Sequence, residues 1–410
     1  MSSEQLPAIP IRHLYIAAAL CFCAGGLYGW SALVPLVENT FAGSTAEAGR
    51  VFSIAIVSFT VAVILIPRLA EGVRSLFASG LIGIFGVVSL LVATAAGTYW
   101  QFLLCFSVGF GFVSGALYIN VLTLVAKTGR TSWYTPLMVA VFGFGGVVFG
   151  PLWRQMIAHG WEAKSLLPLA ILLFLSSVVA VHSDYRSTAV RWRLNISLRS
   201  LLAGNKRTRP DVVQTSYGGR FALIWAIFAT GSTAGLMVLG LASKIIEQAG
   251  GTVTVASAGL AGVALGNTLG RLSVGAQLCF ISSTQTAFLA TLTIGSGLLV
   301  VLFSDVAAST AIGLSLVALG YGIMASAVPV MVQRQFGATN FSRIFSITFT
   351  AWGLAGLISP WLAGVLFDIS GSFSAAIQLA FAVTILCGLL LGCYAATDRV
   401  SDKPDQFEVS

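Results

Sequence analysis

Charge is what this sequence has least of. Only 9% of its 410 residues are Asp, Glu, Lys or Arg, against about a quarter in an ordinary soluble domain. A soluble fold of this size needs polar surface, because its core cannot hold every apolar side chain. Here 22 basic and 14 acidic side chains are too few to cover one, so the soluble classes are excluded. Histidine is also scarce, with three in the chain. No His/Asp/Glu cluster or nucleophile–base pair stands out, which argues against a membrane enzyme or receptor. The six cysteines, Cys21, Cys23, Cys105, Cys279, Cys387 and Cys393, lie in or at the ends of apolar stretches. They lack metal-ligand spacing and read as small buried hydrophobes. No cofactor or metal is expected. The phosphate-binding pattern Gly-x4-Gly-Lys-[Ser/Thr] is missing, so ATP does not drive the protein directly.

Apolar sequence is what the chain has in abundance. Hydrophobic residues make up 57%, and the mean hydropathy is +0.92. A membrane helix needs about 20 consecutive apolar residues. Twelve such stretches run over 14–37, 49–67, 76–96, 99–126, 132–153, 164–182, 218–243, 253–278, 283–303, 306–332, 343–366 and 373–396. They are too long and too uniform for barrel strands, which alternate with period two. Helices also satisfy their own backbone polar groups, which lipid does not do. The expected class is an all-α membrane protein of twelve transmembrane helices. The N-terminus shows no cleavable-signal pattern, since its first apolar stretch is long and further spans follow at once.

Basic residues in the loops orient the chain. With the N-terminus inside, 17 of the 22 Lys and Arg fall in cytoplasmic segments, and four (Arg50, Arg154, Lys164 and Lys244) fall on the other side. Both termini are thus expected in the cytoplasm, with the protein multi-pass in the cell (inner) membrane. The net charge of +8 becomes a topology signal, and no nucleic-acid partner is needed to explain it.

One long polar segment, 183–217, carries seven Lys or Arg, two Asp and Pro210. It divides the chain into an N-terminal bundle (1–182), a cytoplasmic linker (183–217) and a C-terminal bundle with a short tail (218–410). The halves echo each other at an offset near 210 residues: Gly109-Phe110-Gly111 matches Gly320-Tyr321-Gly322, and Gly150-Pro151 matches Ser359-Pro360. Two six-helix bundles related by an axis along the membrane normal are the arrangement of major facilitator transporters, with the solute site between the halves. Glycines spaced by four (Gly111 and Gly115; Gly146 and Gly150; Gly262, Gly266 and Gly270) line single helix faces and let neighbouring helices approach. They serve either static packing or sliding.

One cation does not fit the topology. Arg271 stands inside the eighth span, with apolar sequence on both sides. Burying an Arg near the bilayer centre costs about 2.5–3.5 kcal/mol on the insertion scale, and the guanidinium does not readily lose its proton. No Asp, Glu or His lies in a span core to neutralise it. A substrate carboxylate would, because the planar fork matches it bidentately. Asn267, one turn earlier on the same face, adds an amide. The other arrangement is snorkelling of Arg271 to the cytoplasmic interface. Tyr28, Tyr118 and Trp352 are further substrate-binding candidates, each equally readable as a packing or interfacial residue. Trp30, Asn120 and Tyr321 read first as packing residues.

These residues carry a family resemblance. Gly26-Leu27-Tyr28-Gly29-Trp30-Ser31 is similar to the Tyr-x-Trp-Ser segment of the oxalate/formate antiporters, and residues 349–360 resemble that family's span eleven. Asn267-x3-Arg271 resembles the arginine site that this family and the monocarboxylate transporters use for substrate carboxylate. The resemblance covers the whole twelve-span plan and implies the major facilitator fold. The superfamily's loop motif, Gly-x3-Asp-Arg-x-Gly-Arg, is degraded here to Pro67-Arg68-Leu69-Ala70-Glu71-Gly72-Val73-Arg74, and the loop 276–285 has no charge. Members that carry dianionic oxalate have a second cation in span eleven. Trp352 stands about there in this chain, which favours a monoanion. Asn267 replaces the aspartate of the animal relatives and cannot titrate, which argues against proton symport through that position.

The expected function is secondary transport, as antiporter or symporter, of a small monocarboxylate such as lactate, pyruvate or formate. The expected partners are a small organic anion and the lipid bilayer, with the protein a monomer. The alternative is a larger aromatic nutrient such as a vitamin, riboflavin-like, or a drug for export. The partial Gly-x3-Gly-Pro in span five (Gly146 to Pro151) leans toward exchange or export.

Overall fold

The computed structural model describes residues 11–69, 75–126, 131–185 and 216–397. These are all helix and short turns. Eleven helices are long and apolar enough to cross a membrane: α1 (Ile11–Phe41), α2 (Thr45–Ile66), α3 (Leu76–Thr94), α4 (Tyr99–Val125), α5 (Leu137–Ala158), α7 (Gly218–Gln248), α8 (Val253–Gln277), α9 (Ser283–Leu302), α10 (Ala307–Gly337), α11 (Ile344–Ser370) and α12 (Ser374–Thr397). The twelfth, α6 (Leu167–Tyr185), has a shorter apolar part, Leu167–Ser183. Each coincides with one expected span. The ends differ most at α1, α5, α7 and α10, because polar residues such as Glu38, Arg154, Glu247 and Arg334 lie within helices that continue past the apolar stretch. Most of the expected linker and the greater part of the loop motif 67–74 lie outside the described residues.

An even number of spans brings α12 to end on the face where α1 begins, the terminal face. On the opposite, distal face, α1 turns into α2 through Ala42, whose φ of 50° ends the helix in the left-handed conformation. The helices form two bundles, α1–α6 and α7–α12. Across the junction, α2 packs against α11, α5 against α8, and α1 against α7.

Local backbone choices follow from composition. Residues Gly25–Leu33 of α1 wind as a tighter 3-10 helix, and Ser114 of α4 donates to the Ala24 carbonyl at 2.6 Å, at the point where the ladder changes. Pro35 has no N–H to offer the Ser31 carbonyl four residues back, and the Ser243 hydroxyl of α7 donates to it. Residues Leu103–Phe110 of α4 widen into a π segment. At Gly25 an added Cβ would collide with the backbone carbonyl of Phe142, so only glycine lets α1 lie this close to α5.

Most glycines of the three stripes meet partners within their own bundles: Gly111 and Gly115 lie on Ala55 and Phe59, Gly146 on Tyr28, and Gly266 and Gly270 on Ser315 and Leu319. Gly150 also meets Leu260 of α8 across the junction, and other glycines cross it as well, with Gly353 against Thr60, Gly356 against Ile56 and Gly364 against Ala46. Close approach of α2 to α11 thus depends on residues not singled out by spacing.

Gly25→Val should cost at least about 2 kcal/mol by forcing α1 off α5. A thermal-unfolding scan in detergent should show a clearly lowered midpoint. Gly219→Ala, where nothing lies within 4 Å of an added Cβ, should leave it unchanged.

Candidate functional site

Arg271 lies three-quarters of the way along α8, on the side turned to the N-terminal bundle. Its Nε donates to Asn267 Oδ1 at 2.8 Å and its Nη2 donates to the Tyr28 hydroxyl at 3.2 Å. The first bond stays on α8 and follows from the four-residue spacing. The second crosses from one bundle to the other. The guanidinium carbon sits 5.9 Å from the Tyr28 ring centroid and 5.8 Å from that of Tyr321, within reach of a cation–π interaction with each. The side chain is held between the bundles and does not snorkel to the terminal face.

Among the described residues no carboxylate pairs with Arg271. Of a guanidinium's five N–H groups, two are engaged by Asn267 and Tyr28, and the Tyr321 hydroxyl is a further hydrogen-bonding neighbour. The Asn267 amide is fixed by the same bond, since turning it over would aim N–H at N–H. Its Nδ2 is buried without a hydrogen-bond partner. The site is rich in donors and poor in acceptors.

Aromatic rings build the wall beside it. Phe142 of α5 lies between Tyr28 and Tyr118, with centroids 5.0 and 5.1 Å away. Phe59 of α2 reaches Tyr118 at 5.5 Å, Phe142 at 5.8 Å and Trp352 of α11 at 5.4 Å. Phe349 completes the chain, 4.9 Å from Trp352. Trp352 turns its indole N–H to the Tyr321 hydroxyl at 2.6 Å, and Gly235 of α7 leaves room for the Tyr321 ring.

The structure brings together Arg271, Asn267 and Tyr28 by hydrogen bonds, and Trp352 through Tyr321. Tyr118 packs on Phe142 and lies near enough to Arg271 to interact with its charge, without a hydrogen bond from its hydroxyl among the described residues. It lines the aromatic wall and makes no hydrogen bond to Arg271. Tyr321, read first as a packing residue, is part of the site. Its signal was present in the repeated Gly-aromatic-Gly of spans four and ten. Phe59, Phe142 and Phe349 were missed, because nothing in a chain with 27 Phe marks three of them as facing inward. Trp30 does pack as expected, against Phe106 at 5.1 Å.

No family model matches the chain. The nucleoside transporter NupG, known from a crystal structure, shares the architecture with a TM-score of 0.70, over 93% of this chain and 99% of NupG. The fold is that of NupG. At 14% identity the likeness is one of architecture alone. A stretch of 83 residues is 31% identical to monocarboxylate transporter 12 of Xenopus laevis. The match covers 20% of this chain and 18% of the length of that relative.

Trp352→Phe keeps the ring and removes the bond to Tyr321, which should cost about 1 kcal/mol. Tyr321→Phe should cost a similar amount, and the double variant should cost no more than either alone. Thermal stability measured around this double-mutant cycle checks the coupling.

Proposed function

We propose that this chain is a secondary transporter that moves a small monocarboxylate by alternating access of its two bundles around Arg271. The observation that carries the reading is a buried guanidinium without a carboxylate partner among the described residues, beside an amide whose N–H groups are also unsatisfied. Such a site lacks an acceptor, and a carboxylate supplies two oxygens in the geometry a guanidinium fork prefers. One cation balances one carboxylate, which favours lactate, pyruvate or formate over a dianion. The limited likeness to a monocarboxylate transporter points the same way.

In this reading residues 1–182 and 218–410 are the rocking units and 183–217 the cytoplasmic linker between them. The basic bias of the loops supports a reading in which both termini lie in the cytoplasm and the protein in the inner membrane. Tyr28 is the switch contact, since its bond to Arg271 spans the junction. An arriving carboxylate competes for that N–H, so binding loosens one bond between the bundles while bridging them anew. Phe59, Phe142 and Tyr118 close off water, which strengthens the ionic interaction at the site.

A second reading, a larger aromatic nutrient such as a vitamin, draws support from the same ring wall. A competition panel of lactate, pyruvate, formate, oxalate, succinate and a flavin against one labelled monocarboxylate separates the two. Displacement by the flavin alone would favour the second.

In proteoliposomes, Arg271→Ala and Arg271→Lys should both abolish carboxylate uptake with expression intact, and full uptake by the alanine variant would sink the assignment. Asn267→Asp places a fixed carboxylate against Arg271 Nε and should reduce uptake at neutral pH at least tenfold, read from the initial rate.

A further inference from the structure

Two ion pairs and a helix cap join the bundles on the distal face, away from the Arg271 site. Glu38, in the last turn of α1, accepts from Lys244 Nζ of α7 at 2.6 Å. One turn on, Glu247 Oε1 of α7 forms an ion pair with Arg154 Nη2 of α5 at 2.7 Å. Each pair takes one member from either bundle, and the polarity alternates. The Lys244 ammonium also lies 5.9 Å from the Phe367 ring centroid of α11.

The network extends without a break. Glu38 accepts a second hydrogen bond, from the Thr45 hydroxyl of α2, at 3.0 Å. The backbone N–H groups of Thr45 and Ala46, free at the start of α2, donate to the two carboxylate oxygens of Asp368 of α11 at 3.1 and 2.9 Å. A carboxylate there also meets the positive end of the α2 dipole. Five helices, three from one bundle and two from the other, are thereby tied at one level.

None of these charges is needed by the Arg271 site. Their pairs are largely buried, the Arg154 side chain being 10% exposed and that of Glu38 19%. Partly buried pairs are screened by salt far less than surface ones. Parting them strands charges in an apolar junction, unless water enters at the same moment. A junction of this kind holds firmly when dry and separates readily once wetted, a two-state behaviour.

We propose that the Glu38–Lys244 and Arg154–Glu247 pairs, tied through Thr45 to Asp368, form a latch that holds the bundles together on the distal face and parts whenever the Arg271 site opens to that face. The latch rests on the alternating-access reading above. It goes beyond that reading in naming which contacts set the balance between the two facing states. Ser31 and Ser243, bonded at 2.7 Å from the Ser243 N–H, lie one to two turns deeper and close the same seam.

The test is accessibility from the distal side. Leu260 of α8 is 5% exposed and faces Gly150 of α5 across the junction, one turn below Arg154. In a Leu260→Cys variant with Cys279→Ser and Cys393→Ser, the rate of labelling by a membrane-impermeant maleimide from that side reads the open fraction. The variant Glu38→Gln, Lys244→Gln, Arg154→Gln and Glu247→Gln leaves no stranded charge and should label at least tenfold faster. Reversing both pairs (Glu38→Lys with Lys244→Glu, Arg154→Glu with Glu247→Arg) should return labelling toward the slow rate. A neutral variant that labels as slowly as its parent overturns the latch, as does a reversed variant that labels as fast as the neutral one. Labelling needs no substrate, so failure of the carboxylate assignment leaves this readout unaffected.

Discussion

The described structure is organised around a cation, Arg271, that has no anion beside it among the described residues. Arg271 is placed in the junction of two bundles, bonded to an amide on its own helix and to a phenol on the facing bundle. Neither partner carries a negative charge. The cost of burying the guanidinium is met only in part, by neutral hydrogen bonds and two ring faces. In the proposed reading an anionic solute supplies the rest, because a neutral solute would leave the charge as uncompensated as before.

The rest of the fold can be read as the means of holding that cation in place without neutralising it. Glycines 25, 26 and 29 let α1 tighten and press against α5, which delivers Tyr28 to the junction. Gly322 lets α10 come against the backbone of α8 between Asn267 and Arg271, and this sets the depth of the guanidinium. Gly235 clears space for Tyr321, which Trp352 then anchors. The compensated charges lie elsewhere: Glu38, Lys244, Arg154 and Glu247 pair off near the distal ends of their helices. Among the described residues the paired charges lie at the rim and an unpaired one inside; in the proposed reading the first hold the bundles together and the second recognises a solute.

Much of this was legible in the sequence because membrane burial leaves coarse signatures. Twelve apolar runs and the polar segment between the sixth and seventh define the architecture. Arg271 stands out because a cation in a span has no bland explanation, and Asn267 follows from helical spacing. Tyr28 was visible as a polar aromatic within an apolar run. The wall of Phe59, Phe142 and Phe349 was not visible, since Phe facing lipid and Phe facing a partner helix have the same composition and nearly the same periodicity. Tyr321 read first as a packing residue, and packing and candidate site coincide at that position. The distal ion pairs were seen only as residues at span ends. Pairing across the junction depends on how the two bundles face each other, which no local pattern encodes.

The central claim is that the missing partner of Arg271 is a carboxylate. Comparing a carboxylate with its amide tests this most directly, because shape is kept and charge removed. Binding of lactate and of lactamide to the purified protein would be followed by thermal shift or calorimetry. The account predicts saturable binding of lactate, lost in Arg271→Ala, with lactamide at least tenfold weaker, a difference of about 1.4 kcal/mol or more. Equal binding of the two, or lactate binding undiminished in the alanine variant, would contradict it.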